Sequence, residues 1–299
     1  MTRDLDWGVP VPVEGAEGKV LYVWLDAPIG YITATMEWCE AHGQDWKDWW
    51  QDPNAELLHF IGKDNIVFHC IIFPILLKEH GGYNLPTNVP ANEFMNLEGD
   101  KISTSRNWAV WVTEYLEDFP EGSDAMRYVL TAIMPEQKDS EFTWSDFRDK
   151  VNNELADVLG NFVNRVLVLT KKYYGGEVPA APAPEHLTDT DRALLDALAA
   201  APDKIGGLIQ RHRYKEAQLE AMNVARLGNK YLTEQEPWKL QKTDPERTAT
   251  IMHLTCQVVG NCAVLLEPFL PQTAAKLADA CGLADARWAD AQPDMVQPG

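Results

Sequence analysis

Nine consecutive residues, Glu98 to Arg106, bring two cations and three hydroxyl groups onto one short segment. Gly99 can adopt a positive φ and lets a ligand approach the main chain closely. Lys101 and Arg106 carry the side chains that bind phosphate, and hydroxyl groups and free backbone N–H groups complete such an anion site. The hydroxyl groups belong to Ser103, Thr104 and Ser105. A solvated surface turn has a similar composition, and the motif alone is too short to separate the two interpretations.

Two further turns precede this segment, and each follows an apolar run. Residues 19–26 (KVLYVWLD) lead into Ala27 to Tyr31, and residues 56–61 (ELLHFI) lead into Gly62 to Asn65. Such runs are typical of strands buried on both faces, as in a parallel sheet. Helix-like stretches separate them, so the sequence predicts an α/β, doubly wound parallel sheet. Because ligands bind at the carboxyl ends of such strands, we expect the three turns to lie on one rim.

The second half of the chain has a different periodicity. From residue 146 onward apolar residues recur at i, i+3 and i+4, which is typical of amphipathic helices. The helical patterns cover residues 151–167, 190–200, 204–233, 248–267 and 273–280. The sequence therefore predicts an α/β domain over 1–145 and an all-α helical bundle over 146–299, with a flexible acidic tail from residue 285.

Composition limits the classes of protein to which the chain can belong. No run of 18 apolar residues occurs, and the N-terminus lacks an apolar core of signal-peptide length, so we expect a cytoplasmic protein without a membrane span. The five cysteines form no CxxC pair, which argues against a zinc knuckle and a disulfide framework. No GxGxxG follows the first apolar run, which argues against a dinucleotide-dependent oxidoreductase.

The net charge of −19 argues against extended binding of nucleic acid. Charge is uneven, however. Residues 148–175 carry five Lys or Arg against three acids, and residues 203–230 carry six against three. Two basic helices in an acidic protein fit a confined anionic partner, although ordinary solvated helix faces have the same composition.

Five segments together resemble the methionyl-tRNA synthetases, a family of class I aminoacyl-tRNA synthetases. They are VWLDAPIGY (23–31), FIGKDNIVFH (60–69), EGDKISTSR (98–106), LGNFVNR (159–165) and EQEPWKL (234–240), and they follow that family's order and spacing over nearly the whole chain. The resemblance implies that methionine and ATP, the latter as its Mg²⁺ complex, condense to methionyl-adenylate and pyrophosphate. The acyl group then passes to tRNA(Met). It also implies that the α/β part is the second half of a Rossmann-like catalytic domain and that the bundle is an anticodon-binding domain.

The segment 98–106 is similar to the family's KMSKS loop, whose cations meet the ATP phosphates. Lys101 matches the first lysine, and Ser103 and Ser105 match the serines. Thr104 stands where the family has its second lysine, so Lys101, with Arg106, must supply more of the charge stabilisation. The resemblance gives catalytic roles to Lys101, Ser103, Thr104 and Ser105, and ATP contacts to Lys101 and Thr104.

The resemblance also implies a nucleoside site and an amino-acid pocket. Gly62 and Asp64 match a Gly-x-Asp pair that holds the adenosine ribose, and Asp64 could also act as a helix N-cap, which does not exclude the first role. The pocket for methionine corresponds to Trp24, Ala27, Pro28, Tyr31 and His69. A thioether favours aromatic and apolar contacts with one weak donor, which Tyr31 can provide. His69 considered alone would more often be a core histidine.

The anticodon-reading residues of the family correspond to Asn161, Arg165 and Trp238. Asn161 and Arg165 are four residues apart, so they share one helix face. An amide and a guanidinium can read the edges of splayed bases, and an indole can stack on one of them. Without the family pattern, Trp238 could instead be a core residue at a helix end.

The family's HIGH-type motif and its knuckle domain, which often binds zinc, have no counterpart in this sequence. We therefore expect a C-terminal portion of the enzyme that needs the N-terminal half for activity, with zinc possible only in that half and no metal site in this chain. Two alternatives stay open: a non-catalytic tRNA-binding module or half of a split synthetase, and a different class I synthetase with a related pocket.

Overall fold

A computed structural model describes residues 2–25 and 27–298, so Asp26, the end of the first predicted strand, lies outside the described residues. The chain forms two compact units, one of residues 1–94 with 135–138 and the other of residues 95–134 with 139–299. The domains predicted at 1–145 and 146–299 rest on the change of periodicity and stay a prediction.

The first unit combines short strands with three helices. Its strands are β1 (Thr2–Asp4), β2 (Lys19–Leu21), β3 (Leu57–Leu58), β4 (Ile61–Gly62), β5 (Pro86–Asn88) and β6 (Ala91–Asn92), and its helices are α1 (Gly30–His42), α2 (Lys47–Trp50) and α3 (Phe73–His80). β3 pairs in parallel with β5, and β4 pairs in parallel with β6. The connection from β3 through α3 to β5 is therefore the predicted strand–helix–strand unit. The buried core of the first unit consists of Ile32, Trp50, Phe73 and Leu77.

The prediction of a buried parallel strand over residues 19–26 is wrong for most of its length. Only Lys19–Leu21 is a strand, and it pairs antiparallel with Thr2–Asp4. Val23–Leu25 forms a 3-10 turn, and 61% of the Val23 surface is exposed. An apolar run indicates that a segment can be buried on two faces, but a parallel strand also needs neighbours in register. The described residues supply β2 with an antiparallel neighbour only.

The second unit begins with a small sheet and continues as helices. β7 (Met95–Leu97) pairs antiparallel with β8 (Asp100–Lys101) and parallel with β9 (Ser140–Phe142). The helices are α4 (Val112–Asp118), α5 (Ser123–Ala132), α6 (Trp144–Lys150), α7 (Asn161–Tyr174), α8 (Asp189–Gln210), α9 (Tyr214–Gln235), α10 (Pro237–Leu240), α11 (Pro245–Leu265) and α12 (Pro271–Ala280). A π-helical stretch, Val151–Gly160, joins α6 to α7.

Helix α11 forms the centre of the bundle. Asp244 caps its first turn by accepting a hydrogen bond from the Arg247 N–H at 2.9 Å. Among the described residues this helix alone is long and apolar enough to cross a membrane, yet 94% of its most apolar 18-residue window is buried inside the protein. Its composition therefore reflects a core position. Neighbouring α9 approaches closely at Gly228, where a Cβ atom would lie 2.4 Å from Phe162 and 2.7 Å from Val258.

Two predicted helix ends differ from the structure. The predicted break between residues 200 and 204 is absent, because Pro202 lies inside α8. Buried Leu198, Ala201 and Ile205 hold this part of the helix against the core, which offsets the one intrahelical hydrogen bond that a proline removes. The chain turns instead at His212, whose φ is 59°.

The tail was predicted to be flexible, and the structure corrects this expectation. Met295 and Val296 are buried in the bundle core. The Gln257 side chain donates to the Val296 carbonyl at 2.7 Å and accepts from the Val296 N–H at 2.8 Å. The prediction failed because the absence of a helical period says nothing about whether an irregular segment packs against a core.

Candidate functional sites

A hydrogen bond joins Tyr31 and His69 in the first unit. Tyr31 lies in the first turn of α1 and His69 in the π-helical turn Phe68–Ile72, and the Tyr31 hydroxyl lies 2.9 Å from His69 Nε2. His69 Nδ1 lies 3.0 Å from the Asn65 carbonyl, which can only accept. In the neutral tautomer that satisfies both contacts, Nδ1 carries the proton and Nε2 accepts from Tyr31. His69 is 1% exposed, so its ring is enclosed by the protein.

His59, a buried residue that sequence reasoning missed, completes a group of rings with the buried His69 and the exposed Tyr31. Its ring centre lies 5.1 Å from that of His69 and 5.6 Å from that of Tyr31. Burial first, and repulsion between the two imidazoles in their charged forms second, lower the pKa of His59. Its Nε2 atom is buried without a hydrogen-bond partner among the described residues. The available signal was a lone imidazole inside the otherwise apolar run 56–61.

Of the remaining predicted methionine-binding residues, Trp24 contacts the segment that carries His69. The Trp24 indole stacks on Phe68, the residue before His69, with ring centres 5.2 Å apart. Pro28 is buried in the 3-10 turn Ala27–Ile29, whereas Ala27 is exposed. The structure thus brings Trp24 to the segment that carries His69, through a contact with Phe68 that the motif comparison did not single out.

Gly62 and Asp64 lie at the end of β4. The Asp64 carboxylate folds back over Gly62, because a Cβ atom on residue 62 would meet Asp64 Oδ1 at 2.8 Å. Glycine therefore leaves room for this carboxylate. Asp64 is exposed within the 3-10 turn Lys63–Asn65, whose N-cap is Gly62, so the alternative role of Asp64 as the cap does not apply to this turn.

The loop 98–106 belongs to the second unit and is closed at its base. Glu98 and Gly99 both have positive φ, 48° and 85°, and form the turn between β7 and β8. Ser103 and Trp108 exchange backbone hydrogen bonds of 2.9 Å in each direction. The Trp108 indole N–H donates to the Leu97 carbonyl at 3.0 Å, which ties the end of the loop to β7.

Inside the loop the predicted catalytic side chains are largely exposed. The Ser103 and Ser105 hydroxyl groups lie 3.2 Å apart, and Arg106 donates to the Lys101 carbonyl at 3.2 Å. This bond brings the Arg106 guanidinium to the Lys101 backbone. Lys101 and Thr104 are exposed. The loop therefore presents hydroxyl groups and cations together, as an anion site requires. The meeting of all three turns on one rim stays a prediction.

Arg165 and Trp238 contact each other at the surface of the bundle. The Arg165 guanidinium on α7 lies 5.4 Å from the centre of the Trp238 ring on α10. Two residues of α9 that sequence reasoning missed hold this guanidinium: it donates to Asn229 Oδ1 at 2.8 Å and to Thr233 Oγ1 at 3.1 Å. Trp238 is 39% exposed, so it is not the core residue of the alternative interpretation.

Asn161 lies one turn before Arg165 and is exposed, with its amide 3.4 Å from Asp157 Oδ1. The predicted pair therefore shares a helix face, as expected. Within residues 2–25 and 27–298, no group of three or more His, Cys, Asp or Glu side chains is arranged to hold a metal ion.

Comparison with known families matches nearly the whole chain. The family described as tRNA synthetases class I (M) matches residues 1–167, and the anticodon binding domain of methionyl tRNA ligase matches residues 181–298. Among curated relatives, the methionine–tRNA ligase of Christiangramia forsetii is 61% identical over 277 residues, which is 93% of this chain and 40% of that protein. The methionine–tRNA ligase of Bacteroides fragilis is 57% identical over 300 residues, which is 100% of this chain and 43% of that protein. The chain thus spans about 40% of the length of these relatives.

A solved structure agrees with the fold. The Mycobacterium tuberculosis methionyl-tRNA synthetase in complex with methionyl-adenylate has a TM-score of 0.81 and 30% identity, covering 100% of this chain and 57% of that one. The predicted fold class, half of a Rossmann-like domain followed by helices, is confirmed. The predicted resemblance is confirmed as well: this chain belongs to the methionyl-tRNA synthetase family of class I aminoacyl-tRNA synthetases.

Proposed function

We propose that the chain takes part in methionine–tRNA ligation, the ATP-dependent activation of methionine and its transfer to tRNA(Met). The observation that carries this proposal is the Tyr31–His69 hydrogen bond of 2.9 Å. It joins two predicted methionine-binding residues that lie in different segments of the sequence. Since the chain covers 40% of its curated relatives, we propose that activity needs the part of the protein that they carry outside the match.

In this proposal the methionine pocket recognises its ligand mainly by shape. In the neutral tautomer of His69 with the proton on Nδ1, the Tyr31 hydroxyl donates to Nε2 and keeps its lone pairs for other neighbours. Trp24, Ala27 and Pro28 then supply aromatic and apolar contact for the thioether. A pocket of this kind discriminates between ligands that differ by one methylene by about 1–3 kcal/mol of free energy.

The nucleotide is proposed to meet two groups of residues. Gly62 and Asp64 hold the ribose, because the exposed carboxylate can accept hydrogen bonds from its hydroxyl groups. Lys101 and Arg106 face the phosphates of ATP, which enters as its Mg²⁺ complex. Preorganised cations stabilise the charge that develops as pyrophosphate departs. The hydroxyl groups of Ser103, Thr104 and Ser105 complete this anion site, and Thr104 leaves it one cation poorer than the family pattern.

The helical part is proposed to read the anticodon. Trp238 stacks on one base while Asn161 and Arg165 hydrogen-bond to base edges. Asn229 and Thr233 hold Arg165 in place for this task. The five unpaired cysteines fit a reducing cytoplasm. We assign the family's zinc-binding knuckle to the part of the protein outside this chain, because these cysteines contain no CxxC pair.

Complementation tests the proposal. The chain is mixed with a second polypeptide, the part of the C. forsetii relative outside its matched 277 residues, and methionine-dependent pyrophosphate exchange is measured. We expect exchange from the mixture only, and we expect Lys101→Ala to reduce its rate by about 100-fold, the usual loss for one such donor. Lys47→Ala, which changes an exposed lysine on α2 of the first unit, is the control.

Other outcomes would support a different function. Turnover by the chain alone would refute the need for a second part. Specific tRNA binding without exchange in any mixture would favour the non-catalytic tRNA-binding module. Exchange that depends on another amino acid would favour a different class I synthetase.

A further inference from the structure

A cavity of about 800 Å³ opens in the second unit beside the base of the loop 98–106. None of the residues proposed to bind methionine, ribose or the anticodon lines it. Its walls come from α4, from α6 and from the segment after the loop. The aromatic lining residues are Trp108, Trp111, Tyr115, Phe119, Trp144 and Phe147.

The aromatic lining is exposed to an unusual degree. Trp108, Trp111, Phe119 and Trp144 have between 38% and 56% of their surface exposed. Large apolar side chains gathered around one concave surface mark a binding site more often than a core. The Tyr115 ring beneath them is buried and stacks on Trp144, with ring centres 6.3 Å apart. The cavity therefore has a preformed aromatic floor.

Three of the four aromatic hydrogen-bond donors in the lining, those of Trp108, Trp111 and Tyr115, already donate within the protein. The Trp108 indole N–H donates to Leu97, and the Trp111 indole N–H donates to Asn107 Oδ1 at 2.8 Å. The Tyr115 hydroxyl donates to the Gly122 carbonyl at 2.8 Å. Because these donors are already used within the protein, a ligand meets the negative faces of the rings, which attract cations.

The charged side chains that line the cavity also favour a cationic ligand. Glu98, Glu114 and Asp118 line the cavity with carboxylates. The cationic side chain of the lining, Arg148, donates two hydrogen bonds to Asp149, at 2.9 and 2.8 Å. A carboxylate accepts a planar amidinium or guanidinium in a bidentate manner, and such a group also stacks on indole.

We propose that this cavity is a binding site for a small organic cation in which an amidine or guanidine group is attached to an aromatic body. The aromatic body lies against Trp111 and Trp144, and the cationic group meets Glu114 and Asp118. Because Glu98 is the first residue of the loop 98–106 and Asn107 and Trp108 follow its last residue, an occupant contacts both ends of the loop.

Ligand titration tests the proposal with a charged probe and its neutral isostere. The 299-residue chain is titrated with benzamidinium and, separately, with benzamide, while the indole N–H resonances are followed by NMR. We expect benzamidinium to shift the Trp108 and Trp111 signals with a Kd at least about tenfold lower than that of benzamide. The signal of Trp49, an exposed tryptophan of the first unit, should not move.

Matched variants assign the charge preference to individual carboxylates. Glu114→Gln should raise the Kd of benzamidinium about threefold to tenfold, and Asp118→Asn should do the same. Glu117→Gln changes an exposed carboxylate on the same helix that does not line the cavity, so it should leave the Kd unchanged.

Three results would overturn the proposal. Equal affinity for benzamidinium and benzamide would show that the cavity is an apolar cleft without a preference for cations. A comparable shift of Trp49 would show unspecific binding. An absence of shifts, together with a dimeric chain in solution, would mean that a second copy covers this face.

Discussion

The guanidinium of Arg165 lies over the indole of Trp238 at 5.4 Å, and Asn229 and Thr233 fix its other side. A cation held over an indole face orients both groups at once. The candidate anticodon surface therefore exists before any RNA arrives, and less conformational entropy is lost on binding.

We expect Trp238→Ala to weaken binding of tRNA(Met) by about 1–3 kcal/mol, since one base–aromatic stack is lost. Arg165→Gln should weaken it as well, and the double variant should lose less than the sum, because the two side chains are in contact. Fluorescence anisotropy with labelled tRNA measures these affinities. Trp49→Ala is the control, and an equal loss in that variant would contradict the anticodon assignment.

We expect Tyr31→Phe to raise the KM for methionine about tenfold in the complemented exchange assay. The change leaves the buried His69 Nε2 without its partner, a cost of about 1–3 kcal/mol that loosens the pocket. The control is Tyr83→Phe, a half-buried tyrosine of the same unit with no proposed role. An unchanged KM would remove Tyr31 from the pocket.

The buried carboxylate of Asp191 makes the free energy of unfolding depend on pH. Burial alone would raise the pKa of Asp191, but hydrogen bonds from Arg247, Tyr231 and the Thr188 backbone outweigh it and lower the pKa to about 2. A lowered pKa means that the carboxylate contributes its stabilisation above the unfolded value near 4 and loses it as pH falls toward 2. The shift corresponds to about 2 kcal/mol.

Urea unfolding between pH 6 and pH 2.5 should show this loss in the unmodified chain. Asp191→Asn should lack that component of the pH dependence. It should also lower the free energy of unfolding by about 3–5 kcal/mol at pH 6, because the nearly buried Arg247 loses its anionic partner. Asp189→Asn changes an exposed carboxylate in the same helix turn and should cost less than about 0.5 kcal/mol. Similar pH profiles for both variants would contradict the assignment.

Gly228→Ala should destabilise the bundle by about 1–3 kcal/mol, since its Cβ atom would overlap Phe162 and Val258 in a packed core. Gly207→Ala is the matched helical control, because its Cβ atom would meet only the end of the flexible Arg211 side chain. That substitution should be neutral or should stabilise by up to about 1 kcal/mol. Thermal unfolding of the two variants measures the difference, and a stable Gly228→Ala chain would contradict the packing.

The sequence alone predicted the local features of this protein, such as turns, charged segments and helices. Glu98 to Arg106 showed its turn and its charges, the 3.6 period located the helical bundle, and the spacing of Asn161 and Arg165 placed them on one helix face. These features depend on dihedral preferences and on neighbours a few residues apart, so the order of residue types is sufficient to predict them.

Tertiary structure decided where burial occurs and which side chains meet. The run 19–26 looked like a buried strand, yet Val23 is exposed and β2 pairs with the N-terminal β1. Val296 looked like part of a free tail, yet Gln257 holds it in the core. The contacts of His59 with His69, and of Asn229 with Arg165, join separate segments. Burial and such contacts depend on the packing of distant segments, which no local pattern of residues contains.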